Sequence, residues 1–562
     1  MLAAMKRTAW NELTANASPS ELAWMNGYLE GLLAATQQVQ PEHNIPAAVP
    51  SKLSILFGTE TGNAKSLATK LAATARKAGH IVKLTALDQY RLTDLQQESR
   101  LIVVISTQGD GEPPAQARAF YDHIHDTNTN LPGLQYAVLG LGDSAYPLFC
   151  QTGIDVDRQL ERAGGQRLAP LQLCDTDYET TATTWFATTL QQLRQQQPQP
   201  VTLAANTTGH NKAIHSGRVR SHINLNDTGS AKETYHIELE AAGVYYEPGD
   251  ALGIVPANPG ALVTGIIDLL GLQPDTRITY KGQDSTLYEL LHRKLNITYL
   301  PGRVVRGYAA LSKQEIPEIK IGLAHLLQIY PLPPGTPPEA VIGLLEPVAP
   351  RLYSISSAPA AHEGTIHLTV SKDRFQLNGQ EQYGLCSGYL SGLNEGDELS
   401  FYVHPNKAFR LPETDRDIIM IGPGTGIAPF RSFLAQREAS GGNGRNWLFF
   451  GDQHFNTDFL YQSEIQSWHE TGLLNRVNVA FSRDQEHKIY VQDKMREHAA
   501  ALYQWLEEGA SLYICGAKAP MSVDVEQTLL QIIAAQGGHT DAAAEAYLEQ
   551  LKVTSRYHKD VY

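Results

Sequence analysis

Three times before residue 150, a short, mainly apolar run stops at a turn rich in glycine and hydroxyls. Leu53–Phe57 precedes GTETGNA, Leu101–Ser106 precedes TQGDG, and Tyr136–Leu141 precedes GDSAY. A helix-period stretch follows each turn. Runs apolar on both faces must be covered on both sides, which predicts parallel strands in a doubly wound sheet with helices on each face. The pattern stops near Gln191 and resumes at Asp417 with Ile418–Ile421, Trp447–Phe450, Val477–Phe481 and Leu512–Cys515. The chain therefore holds two separate parallel α/β units and no internal repeat.

Between them, the short alternating runs His236–Leu239, Leu352–Ser357 and Ile366–Val370 predict an antiparallel barrel. Helical patterns at Leu262–Leu270 and Leu287–Leu295, with a break at Pro331–Pro338, predict a helical insertion within it. The expected layout is a flavodoxin-like sheet over 51–190, a Gln-rich flexible linker over 191–212, a barrel from 213–254 and 346–412, an insertion over 255–345, and a last α/β unit over 413–562. Residues 1–50 carry one amphipathic stretch, Glu21–Leu33, and a Pro- and Ala-rich spacer. A length of 562 residues accommodates this multidomain plan of α/β units plus a β-barrel.

Composition removes several classes. The net charge of -14 repels nucleic acid and suits a partner with a basic patch. The four cysteines, Cys150, Cys174, Cys386 and Cys515, form no CxxC pair, so iron–sulfur, zinc and disulfide frameworks are not expected. No apolar run reaches about 18 residues and no secretion signal is evident, which predicts a cytoplasmic protein without a membrane span.

The first turn offers successive backbone N–H groups and a helix N-terminus to a phosphate, with Thr59, Thr61 and Asn63 as short donors. No GxxxxGK[ST] lysine follows, so the loop would hold a phosphate without hydrolysing it. Alone, a tight turn with an N-cap is the ordinary alternative. All three turns, however, lie at the carboxyl ends of strands, where open α/β sheets bind ligands. Tyr146 offers an aromatic face, although a lone tyrosine there is ordinarily surface.

The three turns resemble the flavodoxin family, which implies FMN. By that resemblance Thr59, Glu60, Thr61, Gly62, Asn63 and Ala64 hold the phosphate. The isoalloxazine would lie against Ser106, Thr107, Gln108 and Gly109, and against Leu141, Gly142, Asp143, Ser144, Ala145, Tyr146, Pro147, Leu148, Phe149 and Cys150.

In the barrel region, Arg351-Leu352-Tyr353-Ser354 combines a cation for a pyrophosphate, a ring for stacking and a hydroxyl. A second glycine-led turn is Gly384-Leu385-Cys386-Ser387. These resemble the RxYS and GxCS elements of the ferredoxin–NADP reductase family, which implies FAD at these residues, at Thr369, Val370 and Ser371, and at Phe375. Some relatives carry Tyr where Phe375 stands, so a hydroxyl contact is lost there while the ring can still stack.

The last unit opens with GPGTG, which departs from GxGxxG and resembles the nicotinamide loop of the same reductases, with Gly424 and Thr425 at its turn. Ser482 and Arg483 follow a strand, and Lys488, Ile489, Tyr490, Val491 and Gln492 come shortly after. A 2′-phosphate requires cations and hydroxyls, whereas NAD readers place an acid against the ribose, so NADPH is expected. A basic pair elsewhere would be solvated surface. Asp524 joins this set.

Hydride transfer requires orientation more than acid–base chemistry. The resemblance implies that Ser354, Cys515 and Asp560 surround the reacting atoms and that Tyr562 covers the FAD ring. A buried strand-end cysteine and a frayed tail are the ordinary alternatives for Cys515 and Tyr562.

Flavodoxin unit, linker, barrel with insertion and NADPH unit together follow the diflavin reductase plan. LAWMNGY at 22–28, NWLFFG at 446–451, YVQDK at 490–494 and RYHKDVY at 556–562 resemble the flavoprotein components of assimilatory sulfite reductases. That resemblance implies oligomerisation through the N-terminal segment and a sirohaem, iron–sulfur partner subunit. Four unclustered cysteines hold no four-cysteine cluster, so the chain is expected to supply electrons rather than reduce sulfite. A diflavin reductase serving another haem or cobalamin protein, and a flavin-binding scaffold without turnover, remain open alternatives.

Overall fold

A computed structural model describes residues 52–109, 111–126, 129–144, 146–195, 213–317, 321–377, 380–413 and 415–562. The expected oligomerisation segment and spacer, Ala145, and the linker from 196 to 212 lie outside the described residues. Among the described residues, no helix is long and apolar enough to cross a membrane.

The first sheet contains β1 (Lys52–Gly58), β2 (Ile81–Ala86), β3 (Arg100–Ser106), β4 (Gln135–Leu141), β5 (Gln166–Arg167) and β6 (Gln172–Cys174). All pair in parallel in the order β2-β1-β3-β4-β5, with β6 also on β4. Alternate side chains separate into two cores. Ile55, Phe57, Ile102 and Val104 pack on one face, and Leu56, Leu101, Val103 and Ile105 on the other. This two-sided burial is what the continuous apolar runs require. The closing helix, Glu179–Gln195, passes the expected linker start at Gln191. Leu193 is the reason: it is buried in the first core, so residues 191–195 belong to the sheet's cover.

The barrel comprises β7 (His215–Asn224), β8 (Thr234–Glu240), β9 (Ala251–Ile254), and, after an insertion carrying the hairpin β10 (Arg277–Tyr280) and β11 (Gln283–Thr286), β12 (Arg351–Ser354) and β13 (Thr365–Ser371). A hairpin of β14 (Arg374–Leu377) and β15 (Gln380–Tyr383) precedes the last barrel strand, β16 (Glu398–His404). The antiparallel order is β12-β9-β16-β7-β8-β13. The outer strands meet at an Ile355–Leu368 bridge, where Ser356 N donates to His367 O over 2.9 Å. The insertion has its own core of helices, including Gly260–Leu270 and Gly302–Ser312. Its β10–β11 hairpin is an addition to the expected helices, formed where Lys281 and Gly282 both take positive φ, the conformation of a two-residue hairpin turn.

The last sheet holds β17 (Ile418–Ile421), β18 (Asn446–Asp452), β19 (Arg476–Phe481), β20 (Ser511–Gly516) and β21 (Tyr557–Val561), parallel in the order β19-β18-β17-β20-β21. The same separation recurs: Ile419, Ile421, Trp447 and Phe449 face one core, and Ile418, Met420, Leu448 and Phe450 the other.

Candidate functional site

Each parallel sheet reverses its strand order once, and the crevice beyond the strand ends at that reversal is the binding position of such folds. In the first sheet the reversal lies between β1 and β3. The turn after β1 caps the helix Asn63–Lys77 with Gly62 at φ 92°, and Gly62 N donates to Thr59 Oγ1 over 2.9 Å. A Cβ at Gly62 would meet nothing within 4 Å, so that side of the loop is open to a ligand. Thr61 and Asn63 are exposed there. After β3, Gln108 and Glu112 exchange backbone hydrogen bonds around Gly109 and Gly111, both at positive φ. Thr107 Oγ1 accepts from Thr152 N, and Ser106 Oγ donates to Gly58 O, which fixes this turn against the first. In the third turn a Cβ on Gly142 would lie 2.7 Å from Cys150 N, so only glycine fits. Ser144 N donates to Asp175 there, and Tyr146, Leu148 and Phe149 are half-buried beside the exposed Pro147.

The barrel contributes to a cleft of about 1420 Å³ lined by Arg351, Leu352, Tyr353, Ser354, Thr369, Ser371, Phe375 and Gly384–Ser387. Gln108 and Gly109 of the first sheet, Tyr299 of the insertion, and Thr425 and Tyr562 of the last unit line the same cleft. Its volume exceeds the roughly 300–1,000 Å³ of ordinary small-molecule sites, which leaves room for a dinucleotide. Ser387 Oγ accepts from Asp373 N and donates to Gly384 O, which ties the β14–β15 hairpin to the turn. Phe375 packs on Tyr299 with ring centroids 5.5 Å apart. Burial pushes the Cys386 thiol up to about 12 and raises the Tyr353 phenol.

Three residues from separate elements converge at the end of this cleft. Ser354 Oγ donates to Asp560 Oδ2 over 2.8 Å. Asp560 lies beside Cys515 in the β20–β21 register. Burial raises both the Cys515 thiol and the Asp560 carboxyl, and the Ser354 hydrogen bond draws Asp560 partly back. Tyr562 is fixed at three points: its N donates to Gly516 O, its O accepts from Lys518 N, and its hydroxyl meets Thr425 Oγ1 at 2.7 Å.

In the last sheet the reversal lies between β17 and β20. A Cβ on Gly426 would fall 2.2 Å from Cys515 O, so the loop after β17 packs directly on the end of β20. Ser482 follows β19 and bonds Asp452 O through both N and Oγ. Arg483, Lys488 and Tyr490 are exposed, and among the described residues neither Arg483 nor Lys488 meets a carboxylate. The neighbouring Asp484 is engaged by His454 and by Phe455 N, which keeps it from neutralising Arg483. Gln492 and Asp524 are half-buried, each in the first turn of a helix.

Some expected contacts turn inward. Ala64, Leu141, Cys150, Val370 and Val491 bury their side chains, and Ile489 packs on the last unit's core. Strand and helix periodicity sends them there, leaving the backbone as their means of contact. Cys150 Sγ points to Gly140 O and Cys174 O. Thr369 Oγ1 is taken by Tyr461. Glu60 pairs with Lys518 at 3.0 Å, and Asp143 stands 3.7 Å from His404, so two turns of the first sheet touch the other units. Neither Lys518 nor His404 lies in a motif. Only the position of Lys518, three residues after Cys515, hinted at it.

The chain matches the flavodoxin family over residues 55–185, the FAD binding domain family over 208–312 and the oxidoreductase NAD-binding domain family over 420–527. The open Gly62 loop, the large barrel cleft and the unneutralised cations after β19 fit FMN, FAD and NADPH in that order. The molecule is an NADPH-dependent diflavin oxidoreductase.

Full-length relatives narrow the class. The chain is 37% identical to the sulfite reductase [NADPH] flavoprotein alpha-component of Bacillus subtilis (strain 168), covering 98% of this chain and 97% of that one. It is 40% identical to the protein of the same name from Cronobacter sakazakii (strain ATCC BAA-894), over 99% and 96%. For the Klebsiella pneumoniae protein the identity is 38%, over 98% and 96%. The chain belongs to the sulfite reductase flavoprotein alpha-component family.

Proposed function

We propose that this chain is the electron-supplying subunit of an assimilatory sulfite reductase, acting in the cytoplasm as a homo-oligomer beside a sirohaem and iron–sulfur subunit that reduces sulfite to sulfide. One observation carries the electron path: a single cleft is lined by residues of all three units, from Gln108 and Gly109 through Ser354 to Thr425 and Tyr562. The thiols support a metal-bearing partner: Cys150, Cys174, Cys386 and Cys515 are all buried and unpaired, and only Cys150 and Cys174 are neighbours.

In this reading the loops Thr59–Ala64, Ser106–Gly109 and Leu141–Cys150 hold FMN. Arg351–Ser354, Thr369–Ser371, Phe375 and Gly384–Ser387 hold FAD. Gly424, Thr425, Ser482, Arg483, Lys488–Gln492 and Asp524 hold NADPH, with Arg483 and Lys488 on the 2′-phosphate. Asp560 keeps the Ser354 hydroxyl aimed at the reacting atoms, Cys515 fills the space beside it with an uncharged thiol, and Tyr562 shields them from water. Deletion of the gene is expected to cause a growth requirement for reduced sulfur, and the purified chain to reduce sulfite only when a sirohaem protein is added. Sulfite reduction by the chain alone, or growth unaffected by its loss, overturns the proposal.

A further inference from the structure

Asp452, the last residue of β18, stands between the two places at which the coenzyme's charged groups are read. Its backbone oxygen holds Ser482 N at 2.9 Å, next to Arg483. On the other side, a Cβ built on Gly424 would come 3.9 Å from Asp452 Oδ2. The carboxylate is only 2% exposed, yet its two oxygens are treated differently. Oδ1 accepts from Lys232 Nζ at 2.6 Å and from Gln453 N at 2.7 Å. Oδ2 has no hydrogen-bond partner. A buried acceptor left unsatisfied is costly, so such an atom commonly awaits a donor.

The chemistry of the coenzyme names that donor. Glycine turns at this position in open sheets receive the pyrophosphate, and Arg483 is placed for the 2′-phosphate. The group joining those two is the adenosine ribose. Its 2′-oxygen carries the phosphate, so its one free hydroxyl is the 3′. We infer that Asp452 Oδ2 accepts a hydrogen bond from the 3′-hydroxyl of the adenosine ribose of NADPH, reached through the gap that glycine leaves at 424. Lys232 is then a positioning residue, which crosses from the barrel to hold the other oxygen and balance the acid's charge near the 2′-phosphate. This inference rests on the assignment of Arg483 to that phosphate.

Calorimetric titration of the flavin-loaded full chain with 2′,5′-ADP and with its 3′-deoxy counterpart tests it. The native chain is expected to prefer the hydroxyl-bearing ligand by about 10- to 100-fold, the range of a hydrogen bond to a charged group. Asp452→Ala should abolish that preference, and the isosteric Asp452→Asn should reduce it to a few-fold. Flavin content and melting temperature check folding, and if the alanine variant does not fold, the asparagine variant decides. An unchanged preference in the folded variants, or none in the native chain, overturns the inference. Arg483→Ala should weaken both ligands alike and leave their ratio intact. Equal affinities before and after that change would refute the phosphate assignment, while the ratio would still report on Asp452.

Discussion

The two parallel sheets are built alike and fastened differently. Each buries both faces, reverses its strand order once and opens a glycine turn at that reversal. The last sheet is joined to the barrel through buried polar groups. Arg431 Nη1 donates to Ser356 O and His367 Nδ1 while its Nε binds Glu464, and Tyr461 links His236 to Thr369. Asn226 of the β7–β8 loop holds Asp458 at 2.9 Å. The contacts of the first sheet with its neighbours include the Glu60–Lys518 and Asp143–His404 pairs, which are partly solvated. Breaking a buried network strands its partners, whereas a partly exposed ion pair contributes about 0–1 kcal/mol. Among the described residues, the last sheet is thus joined to the barrel by buried networks, and the ion pairs of the first sheet are more lightly held.

The sharpest break is expected on the welded side. Asp560→Ala frees the Ser354 hydroxyl, and misalignment at a hydride-transfer centre costs about 100-fold in rate. Rapid-mixing absorbance of flavin bleaching by NADPH should show that loss, with the flavin content unchanged. Arg483→Ala should raise the KM for NADPH about 10- to 100-fold and leave that for NADH nearly unaltered, the size of a lost charge-assisted contact.

The weld should also respond to acid. Burial and the Arg431 charge hold His367 down at about 2. Between that value and about 6.5 the unfolded chain binds a proton that the folded chain refuses, so stability falls as pH drops through this window. At pH 5 the loss is about 2 kcal/mol from this residue. His367→Gln should flatten the dependence of melting temperature on pH between 7 and 5, and an unchanged slope would remove His367 from the account.

On the lightly held side, Gly62→Ala places a side chain at φ 92°. A strain of about 1–2 kcal/mol should weaken FMN retention roughly tenfold while FAD stays, read as the FMN to FAD ratio after gel filtration. The smallest effect belongs to Lys518→Gln. Loss of the Lys518 pair should alter electron delivery to cytochrome c by about threefold or less, most at low salt. A larger effect, or one insensitive to salt, would contradict the view that the first sheet is lightly held.

The strands legible in the sequence are those with apolar residues on both faces, such as Ile418–Ile421, whose bounds agree residue for residue. The edge strand β2 and the barrel strand β7 carry no such signal, because IVKLTA and HSGRVRSHIN mix polar with apolar positions. The glycine turns were readable because their backbone chemistry is local. The meeting of Ser354 with Asp560, 206 residues apart, was accessible only through resemblance. Lys232, His404 and Lys518 act across unit boundaries, and no local pattern announces a long-range partner.

The buried cysteines carry a further consequence. Reduced flavins exposed to air generate peroxide, so a flavin-loaded chain would work beside a source of its own oxidant. Peroxide attacks the thiolate, and burial keeps all four sulfhydryls in the neutral, sluggish form. The protein is therefore expected to idle in air, wasting coenzyme, while its thiols remain countable in full by a sulfhydryl reagent once the chain is unfolded.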